Sequence, residues 1–303
     1  MNTMTARTTG RRIRWIAAPA FAFTLLAALA PQTIVHRLSA NGMSFAYIEQ
    51  GKGSPVILVH GSISDYREWS KQMAPLAHGY RVIAYSRRYH WPNLSPGQDA
   101  DVTLQRQADD LAAIIRALGV APAHIVGHSK GGSVAVLLAL QHPEMVRTLV
   151  LADPGLGQIL RGTAENDAFS KEAQAVRAQM QMAFDSADPV RIVKTFLADV
   201  APGEFEKAPP ETRQMFLANV SAFQLDYISP RYPFTCADVG RIGTPVLVVT
   251  GERSPSGFQR IAEATARCLK AGTLLTIPEA THHMQSDQPQ LFNRAVRTFL
   301  AAH

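Results

Sequence analysis

The sequence predicts an α/β fold in which a mostly parallel central sheet carries helices on both faces and a helical cap is inserted between two strands. Three observations lead to this prediction. Continuous apolar runs such as residues 55–60 (PVILVH) recur along the chain, as expected of strands buried on both faces. Segments of helical periodicity separate these runs, which is typical of parallel strands joined by crossover helices. The alternation stops at about residue 155 and resumes after residue 233.

The predicted elements follow one another in a regular order after a short hairpin. Alternating strands at residues 33–36 and 43–49 flank Asn41-Gly42, a dipeptide typical of tight hairpin turns. Buried strands are expected at residues 55–60, 81–86, 124–127, 146–152, 245–250 and 273–277. Helices are expected at residues 65–76, 103–118, 130–141, 257–269 and 289–301.

This order divides the chain into three parts. Residues 31–154 and 234–303 form the predicted core, and residues 155–233 form the predicted helical cap. We expect the cap to lie over the carboxyl edge of the parallel strands, where open sheets of this kind bind ligands. Residues 1–30 form a separate leader.

The leader has the pattern of an export signal. It carries four arginines and no acidic residue, followed by an apolar run from Trp15 to Ala30. The run is shorter than the roughly 20 residues of a spanning helix. It ends in small residues, but Pro31 disfavours cleavage directly before it. The sequence therefore predicts a periplasmic or secreted protein whose leader is either a cleaved signal peptide or an N-terminal membrane anchor.

The charge and the cysteines limit the other partners. The net charge of +6 falls to +2 without the leader, and no lysine or arginine run remains, so nucleic acid is not an expected partner. Cys236 and Cys268 are the two cysteines, and the sequence leaves open whether they pair. No cysteine–histidine spacing indicates a zinc site, and neither a metal nor an organic cofactor is expected. The oligomeric state is not predicted.

The segment Gly127-His128-Ser129-Lys130-Gly131 lies between a predicted strand and a predicted helix. A G-x-S-x-G pattern in that context is typical of a sharp turn that exposes a nucleophilic serine. Small residues let the strand and the helix approach closely, and the hydroxyl faces the positive end of the helix. We therefore predict that Ser129 is a catalytic nucleophile.

Five segments in the same order carry a resemblance to a known family: VILVHGS, VGHSKGG, LVLADPG, PVLVVTGE and IPEATHHM. They resemble the capped α/β-hydrolases, a group of esterases, cofactor-free haloperoxidases, carbon–carbon bond hydrolases, haloalkane dehalogenases and epoxide hydrolases. The resemblance spans about residues 40–302. It implies the α/β-hydrolase fold and an enzyme.

The resemblance also implies roles for particular residues. The residue after His60-Gly61 supplies one oxyanion-hole amide in this family, here Ser62, and the residue after the nucleophile supplies the other, here Lys130. A late histidine acts as the base that takes the serine proton. The pattern favours His282 over the adjacent His283.

The acidic member of the site departs from the family pattern. Family members usually carry an aspartate just after the strand that follows the cap, and Ser254 occupies that position here. Some relatives instead carry the acid after the strand that follows the nucleophile helix, where this chain has Asp153. We therefore expect Asp153 to be the acid. Glu252 is the main alternative, and Asp153 would then only shape the loop into the cap.

A serine nucleophile favours hydrolysis of a small or medium carboxylic ester or lactone. It argues against dehalogenase and epoxide hydrolase chemistry, which needs an alkyl ester on an aspartate. A carbon–carbon bond hydrolase, an amidase or a cofactor-free haloperoxidase remains an alternative, as does a non-catalytic pseudo-hydrolase that only binds its ligand. Residues 87–92, Arg253 and Ser254 are candidates for lining the pocket.

Overall fold

A central sheet of eight strands runs through the part of the chain that the structure describes. The computed structural model describes residues 33–97, 100–164 and 166–303, so the leader predicted at residues 1–30 lies outside the described residues. Residues 34–303 form one unit. The strands are β1 (His36–Ala40), β2 (Met43–Gln50), β3 (Ser54–Val59), β4 (Tyr80–Tyr85), β5 (Ala123–His128), β6 (Val146–Ala152), β7 (Val246–Gly251) and β8 (Gly272–Ile277).

The strand order is β1-β2-β4-β3-β5-β6-β7-β8. The β1–β2 hairpin and the β2–β4 pair are antiparallel, and all other neighbours are parallel. The last paired residues of β5 and β6 are His128 and Ala152. Because parallel strands end at the same edge of the sheet, the next residues, Ser129 and Asp153, leave that edge side by side.

Helices cover both faces of the sheet, and this confirms the predicted fold class. They are α1 (Ser70–Ala77), α2 (Leu104–Leu118), α3 (Lys130–Gln141), α4 (Asn166–Asp185), α5 (Pro189–Val200), α6 (Glu204–Lys207), α7 (Pro210–Ala218), α8 (Val220–Ile228), α9 (Cys236–Val239), α10 (Ser256–Cys268), α11 (Met284–Asp287) and α12 (Pro289–Ala301). Short 3₁₀ helices lie at Tyr66–Trp69, Pro143–Met145 and Gly157–Leu160. Within the described ranges, none of the helices has the length and apolar character needed to cross a bilayer.

Two apolar clusters fill the space between the sheet and its helices. Alternate residues of β3 divide between them: Ile57 belongs to the cluster that includes residues of α2, α3 and α10, whereas Val56 and Leu58 belong to the cluster that includes residues of α1 and α12. Such a strand needs apolar residues on both faces, which explains its continuous apolar run. A third cluster, built around Met180, lies mainly within the segment between β6 and β7. We call residues 155–233 the helical insertion; it contains helices α4 to α8.

Two local predictions were wrong. The first strand begins at His36 rather than Thr33, because the Asn41-Gly42 turn sets the register with β2 and pairs His36 with Tyr47. Ile34 and Val35, which suggested the earlier start, are exposed. The single helix expected at residues 65–76 is divided into a 3₁₀ turn and α1.

The question that the sequence left open about the cysteines is answered by the structure, which joins Cys236 and Cys268 in a disulfide. It ties α9 to the end of α10 and closes a loop of 32 residues.

A loop of this length is expected to stabilise the fold by about 4 kcal/mol in the chain-entropy treatment. The double variant Cys236→Ser/Cys268→Ser should lose that amount in urea unfolding, and reductant should have no effect on the variant. Equal stability of wild type and variant would contradict this expectation.

Candidate active site

Ser129 occupies a strained turn between β5 and α3. Its backbone has φ 52° and ψ −116°, a left-handed conformation that L-residues rarely adopt. Close packing enforces the turn: a Cβ on Gly127 would lie 2.6 Å from the carbonyl oxygen of Gly131, and a Cβ on Gly131 would collide with the carbonyl of Val59. The small residues predicted around Ser129 are therefore required by the turn. The serine stands at the amino end of α3, where the helix dipole favours negative charge.

Asp153 and His282 meet at the edge of the sheet beside Ser129. Asp153 Oδ2 lies 3.1 Å from His282 Nδ1, and both side chains are buried. Ser254 Oγ donates a 2.6 Å hydrogen bond to the same Oδ2 and accepts one from the amide of Gly251. The residue in the position expected for the acid therefore supports the carboxylate of Asp153.

His282 is buried between Phe258 of α10 and His128 of β5. Its ring centroid is 4.0 Å from that of Phe258 and 4.6 Å from that of His128. Burial lowers the pKa of His282 to about 4, although the hydrogen bond with Asp153 acts in the opposite direction. The neutral imidazole, which can accept a proton, is therefore the stable form at neutral pH. In the part of the chain that the structure describes, no hydrogen bond joins Ser129 to His282; such bonds are often long before substrate binds.

A buried pair supports the loop that carries His282. His128 donates to the carbonyl oxygen of His282 at 2.9 Å, and its other ring nitrogen lies 3.0 Å from Glu68 Oε1. Glu68 also accepts from the amide of Gly61 at 3.1 Å. Burial would raise the pKa of Glu68, but His128, with smaller contributions from His283 and the amide of Gly61, lowers the pKa to about 2. The Glu68 carboxylate thus connects the His60–Ser62 loop with the His282 loop.

The adjacent His283 has a different partner. Its Nδ1 contacts the carboxylate of Glu204 at the start of α6, and its ring stacks on Phe216. Burial alone would lower the pKa of His283, but Glu204 raises it to about 9. His283 is therefore held by the helical insertion, and the structure brings His282 rather than His283 to Asp153.

The predicted oxyanion residues flank Ser129. Ser62 follows β3, Lys130 is the first residue of α3, and both line the cavity that contains Ser129. Among the residues that the structure describes, neither backbone N–H donates to a protein acceptor. Two amides without a protein partner at one cavity wall are suited to binding a negatively charged oxygen.

A buried arginine holds the first of these loops. Arg87, which is 1% exposed, donates through Nε to the carbonyl of His60 at 3.1 Å and through Nη2 to that of Gly61 at 2.8 Å. Its own amide donates to His60 Nε2 at 2.8 Å. His60 therefore orients the loop, while Ser62 carries the amide at the cavity.

A carboxylate of the helical insertion neutralises this arginine. Asp226 on α8 lies 3.1 Å from Arg87 Nη1 and 3.1 Å from Lys130 Nζ, and Gln107 donates to it at 2.9 Å. Burial would raise the pKa of Asp226, but the charges of Lys130 and Arg87 hold it well below its usual range. One buried carboxylate thus connects the insertion with Arg87, which holds the loop of Ser62, and with Lys130 at the start of α3.

Removing the Asp226 carboxylate should cost considerable stability. Asp226→Ala leaves the buried Arg87 charge without a counterion, and broken buried pairs typically cost about 3–5 kcal/mol. Glu263→Ala, which breaks an exposed pair with Arg267, should change the free energy of unfolding by less than about 1 kcal/mol. Urea unfolding of the two variants tests the difference. An Asp226→Ala protein as stable as the Glu263→Ala protein would contradict the expectation.

The cavity that contains Ser129 has a volume of about 240 Å³ and is lined by residues at the sheet edge, the helical insertion and the start of α10. Its wall combines apolar groups such as Phe196 and Ile261 with charged ones such as Lys130 and Asp226. In the described ranges, no group of three histidine, cysteine, aspartate or glutamate side chains could hold a metal ion.

Several other predicted candidates lie away from this cavity. Glu252, the alternative acid, accepts from the amide of Glu279 at an exposed position. Arg253 faces Glu279 on the surface, and Arg87 is buried behind the oxyanion loop. Sequence reasoning missed Asp226, although an aspartate inside the apolar run Phe223–Ile228 is a signal of a buried, paired carboxylate.

The lowered pKa of His282 predicts the acid limb of the pH profile. If His282 is the base, its protonation abolishes activity, so kcat/KM should decline only as the pH falls through about 4. An unperturbed histidine would give that decline near 6.5. Measurement of kcat/KM from pH 4 to above pH 6.5 locates the midpoint of the decline, and a midpoint near 6.5 would contradict the expectation.

Comparisons with known proteins agree with this architecture. The profile of the alpha/beta hydrolase family matches residues 56–295. The (E)-2-((N-methylformamido)methylene)succinate hydrolase of Acinetobacter baylyi is 26% identical over 267 residues, covering 86% of this chain and 95% of that protein. Epoxide hydrolase 4 of Mus musculus is 26% identical, covering 87% and 78% respectively. The crystal structure of a hydrolase from Pseudomonas aeruginosa superposes with a TM-score of 0.72 at 25% identity, covering 88% of this chain and 98% of that one.

The family match covers well over half of the chain and includes β3, the Ser129 turn and the His282 loop. It agrees with the eight-stranded sheet and its helices on both faces. The chain therefore belongs to the alpha/beta hydrolase family and is an enzyme of that family.

Proposed function

We propose that the enzyme hydrolyses a small or medium carboxylic ester or lactone through an acyl intermediate on Ser129. The observation that carries this proposal is the position of Ser129: a strained turn at the amino end of α3, exposed to a cavity whose wall also includes Ser62 and Lys130. The proximity of His282 and Asp153, with 3.1 Å between Nδ1 and Oδ2, supports it.

In the acylation step, Ser129 Oγ attacks the ester carbonyl while His282 takes its proton. The carbonyl oxygen becomes negatively charged and receives hydrogen bonds from the Ser62 and Lys130 amides. His282 then gives the proton to the leaving alcohol as the carbon–oxygen bond breaks. The acyl group remains on Ser129.

In the deacylation step, water replaces the alcohol. His282 takes a proton from the water, whose oxygen attacks the acyl carbon, and then returns the proton to Ser129 Oγ as the acid is released. Asp153 keeps Nδ1 of His282 protonated and stabilises the imidazolium that forms in each step. Ser254 stabilises the ionised form of Asp153 through its hydroxyl.

The serine nucleophile distinguishes the proposed ester hydrolysis from the epoxide hydrolysis named for one relative, epoxide hydrolase 4. Epoxide opening through a covalent intermediate uses a carboxylate nucleophile, and this chain has Ser129 at the turn. Carbon–carbon bond hydrolysis and cofactor-free haloperoxidase activity remain alternatives with the same serine, histidine and acid. The cavity of about 240 Å³ favours a small substrate over a long-chain lipid.

A panel of p-nitrophenyl esters of graded acyl length, with lactones, amides and a carbon–carbon bond substrate alongside, tests the proposal. We expect the highest kcat/KM for short to medium esters or lactones, with a decline as the acyl chain outgrows the cavity. Turnover of the carbon–carbon substrate alone would replace ester hydrolysis by the alternative. Absence of turnover on the whole panel would contradict the proposal.

We also propose that the enzyme acts outside the cytoplasm. The basic and apolar leader at residues 1–30 supports export, and the Cys236–Cys268 disulfide suits an oxidising compartment. Fractionation of cells that express the full chain with a C-terminal tag tests this. N-terminal sequencing of the recovered protein then distinguishes a cleaved signal peptide from a retained anchor.

A further inference from the structure

A second cavity, of about 410 Å³, adjoins the one that contains Ser129. Its wall includes three arginines, Arg161, Arg177 and Arg231, and no acidic side chain among the described residues. Arg177 and Arg231 line both cavities, as does Tyr227. A positively charged compartment therefore borders the space in which the reaction is proposed to occur.

Arg177 and Arg231 have no carboxylate partner in the part of the chain that the structure describes. Two other pairs of charged groups border the Ser129 cavity: Lys130 pairs with Asp226 at 3.1 Å, and Glu172 pairs with Arg260 at 2.6 Å. Asp199 also lines the Ser129 cavity but not the second one. Burial, followed by the charge of Glu172, raises the pKa of Asp199.

The two arginines repel each other across the cavity wall. Both side chains keep a solvent-exposed part; partial desolvation at the cavity wall lowers the pKa of Arg231, and the charge of Arg177 lowers it further, against smaller contributions from Tyr227 and Asp226. Two cations held close together without a counterion leave a repulsion that a bound anion relieves. A cavity lined by one sign of charge also concentrates ligands of the opposite sign.

From this geometry we propose that Arg177 and Arg231 bind an anionic group of the substrate, a carboxylate or a phosphate, while the ester carbonyl lies at Ser129. The planar guanidinium matches both oxyanions through paired hydrogen bonds. The substrate class is accordingly an ester that carries a second, negatively charged group. This inference rests on the proposed ester hydrolysis and adds the substrate class to it.

Matched ester pairs of equal acyl length test the inference in both halves of the substrate. The p-nitrophenyl hemiester of adipic acid carries an anion in the acyl part, and 3-carboxy-4-nitrophenyl hexanoate carries one in the leaving group. Each is compared with neutral p-nitrophenyl hexanoate. We expect at least one anionic ester to exceed the neutral ester in kcat/KM by about ten- to a hundred-fold, the range of charge-assisted hydrogen bonds.

The variants Arg177→Gln and Arg231→Gln should remove this preference, mainly through KM, so that the ratio of kcat/KM for the anionic ester to that for the neutral ester falls toward one. Arg191→Gln provides the matched control, because Arg191 is an exposed arginine of α5 that lines neither cavity. Equal kcat/KM for neutral and anionic esters in the wild type would overturn the inference while leaving ester hydrolysis intact. The same preference in wild type and in both variants would overturn it as well.

Inorganic phosphate distinguishes a substrate group from a free anion that regulates the enzyme. We expect phosphate to compete with the anionic ester and to leave turnover of the neutral ester unchanged. Activation or inhibition of neutral-ester turnover by phosphate, lost in the arginine variants, would replace the inference by an effector site.

If the wild type hydrolyses none of these esters, the proposed function is contradicted. Binding of adipate, measured by calorimetry, still tests the anion site in that case. Ser129→Ala protein should bind adipate, and Ser129→Ala/Arg177→Gln/Arg231→Gln protein should not. Equal binding of adipate to both proteins, or to neither, would overturn the anion site.

Discussion

The Ser129→Ala variant should lose essentially all ester hydrolysis, with kcat lower by roughly 10⁴- to 10⁶-fold. The expectation follows from the strained turn, which exposes Oγ to the cavity at the amino end of α3. Alanine keeps the packing of the turn and removes only the nucleophile. A fluorophosphonate probe should label the wild type and leave Ser129→Ala unlabelled.

Ser133→Ala is the matched control for this experiment. Ser133 lies one turn further along α3, and its hydroxyl donates to the carbonyl of Gly155 at 3.0 Å. We expect it to keep the probe labelling and the order of magnitude of kcat. Wild-type protein that turns over no ester and resists the probe would instead indicate a pseudo-hydrolase. Labelling of Ser129→Ala would place the nucleophile elsewhere.

Asp153→Asn should lower kcat by roughly 10⁴-fold, the effect typical of removing the carboxylate that orients a catalytic histidine. Asparagine keeps the size of the side chain, but its amide no longer balances the charge on His282. The Asp153 carboxylate is fully buried and lies 3.1 Å from Nδ1 of His282. The affinity for substrate should change little, so we expect kcat to fall while KM stays close to its wild-type value.

Glu252→Gln provides the comparison, because Glu252 is the alternative acid from the sequence. Its carboxylate faces the amide of Glu279 at 2.8 Å in an exposed position. We expect Glu252→Gln to retain activity close to that of the wild type. Full activity of Asp153→Asn together with an inactive Glu252→Gln would reverse the assignment. Circular dichroism of both variants shows whether loss of activity accompanies loss of structure.

Local sequence patterns were sufficient to predict where the central helix α3 and the central strand β6 begin and end. The bounds predicted for α3 and β6 agree with the structure at both ends. These segments are mostly apolar and are bounded by clear turn signals, so tertiary packing reinforces the local preference. The first strand, in contrast, was misplaced because its position depends on pairing with β2 through the turn at Asn41-Gly42.

Some residues of the candidate site could be predicted from the sequence and others could not. Ser129 follows from a pattern of five residues, because a sharp strand-to-helix turn needs small residues within that short span. Asp226 was not predicted, since its contacts with Arg87 and Lys130 join residues about a hundred or more positions apart. No local pattern records which carboxylate of an inserted segment reaches a distant loop.

The sequence by itself determined the alternation of strands and helices, the family resemblance and the turn that exposes Ser129. These features depend on neighbouring residues, whose spacing and size act locally. Tertiary structure alone decided that Asp153 meets His282, that Ser254 supports it, and that the charges of Arg177 and Arg231 meet at one cavity. The physical reason is that these contacts depend on the lateral pairing of β5, β6 and β7 and on the packing of the helical insertion, which only the folded chain brings together.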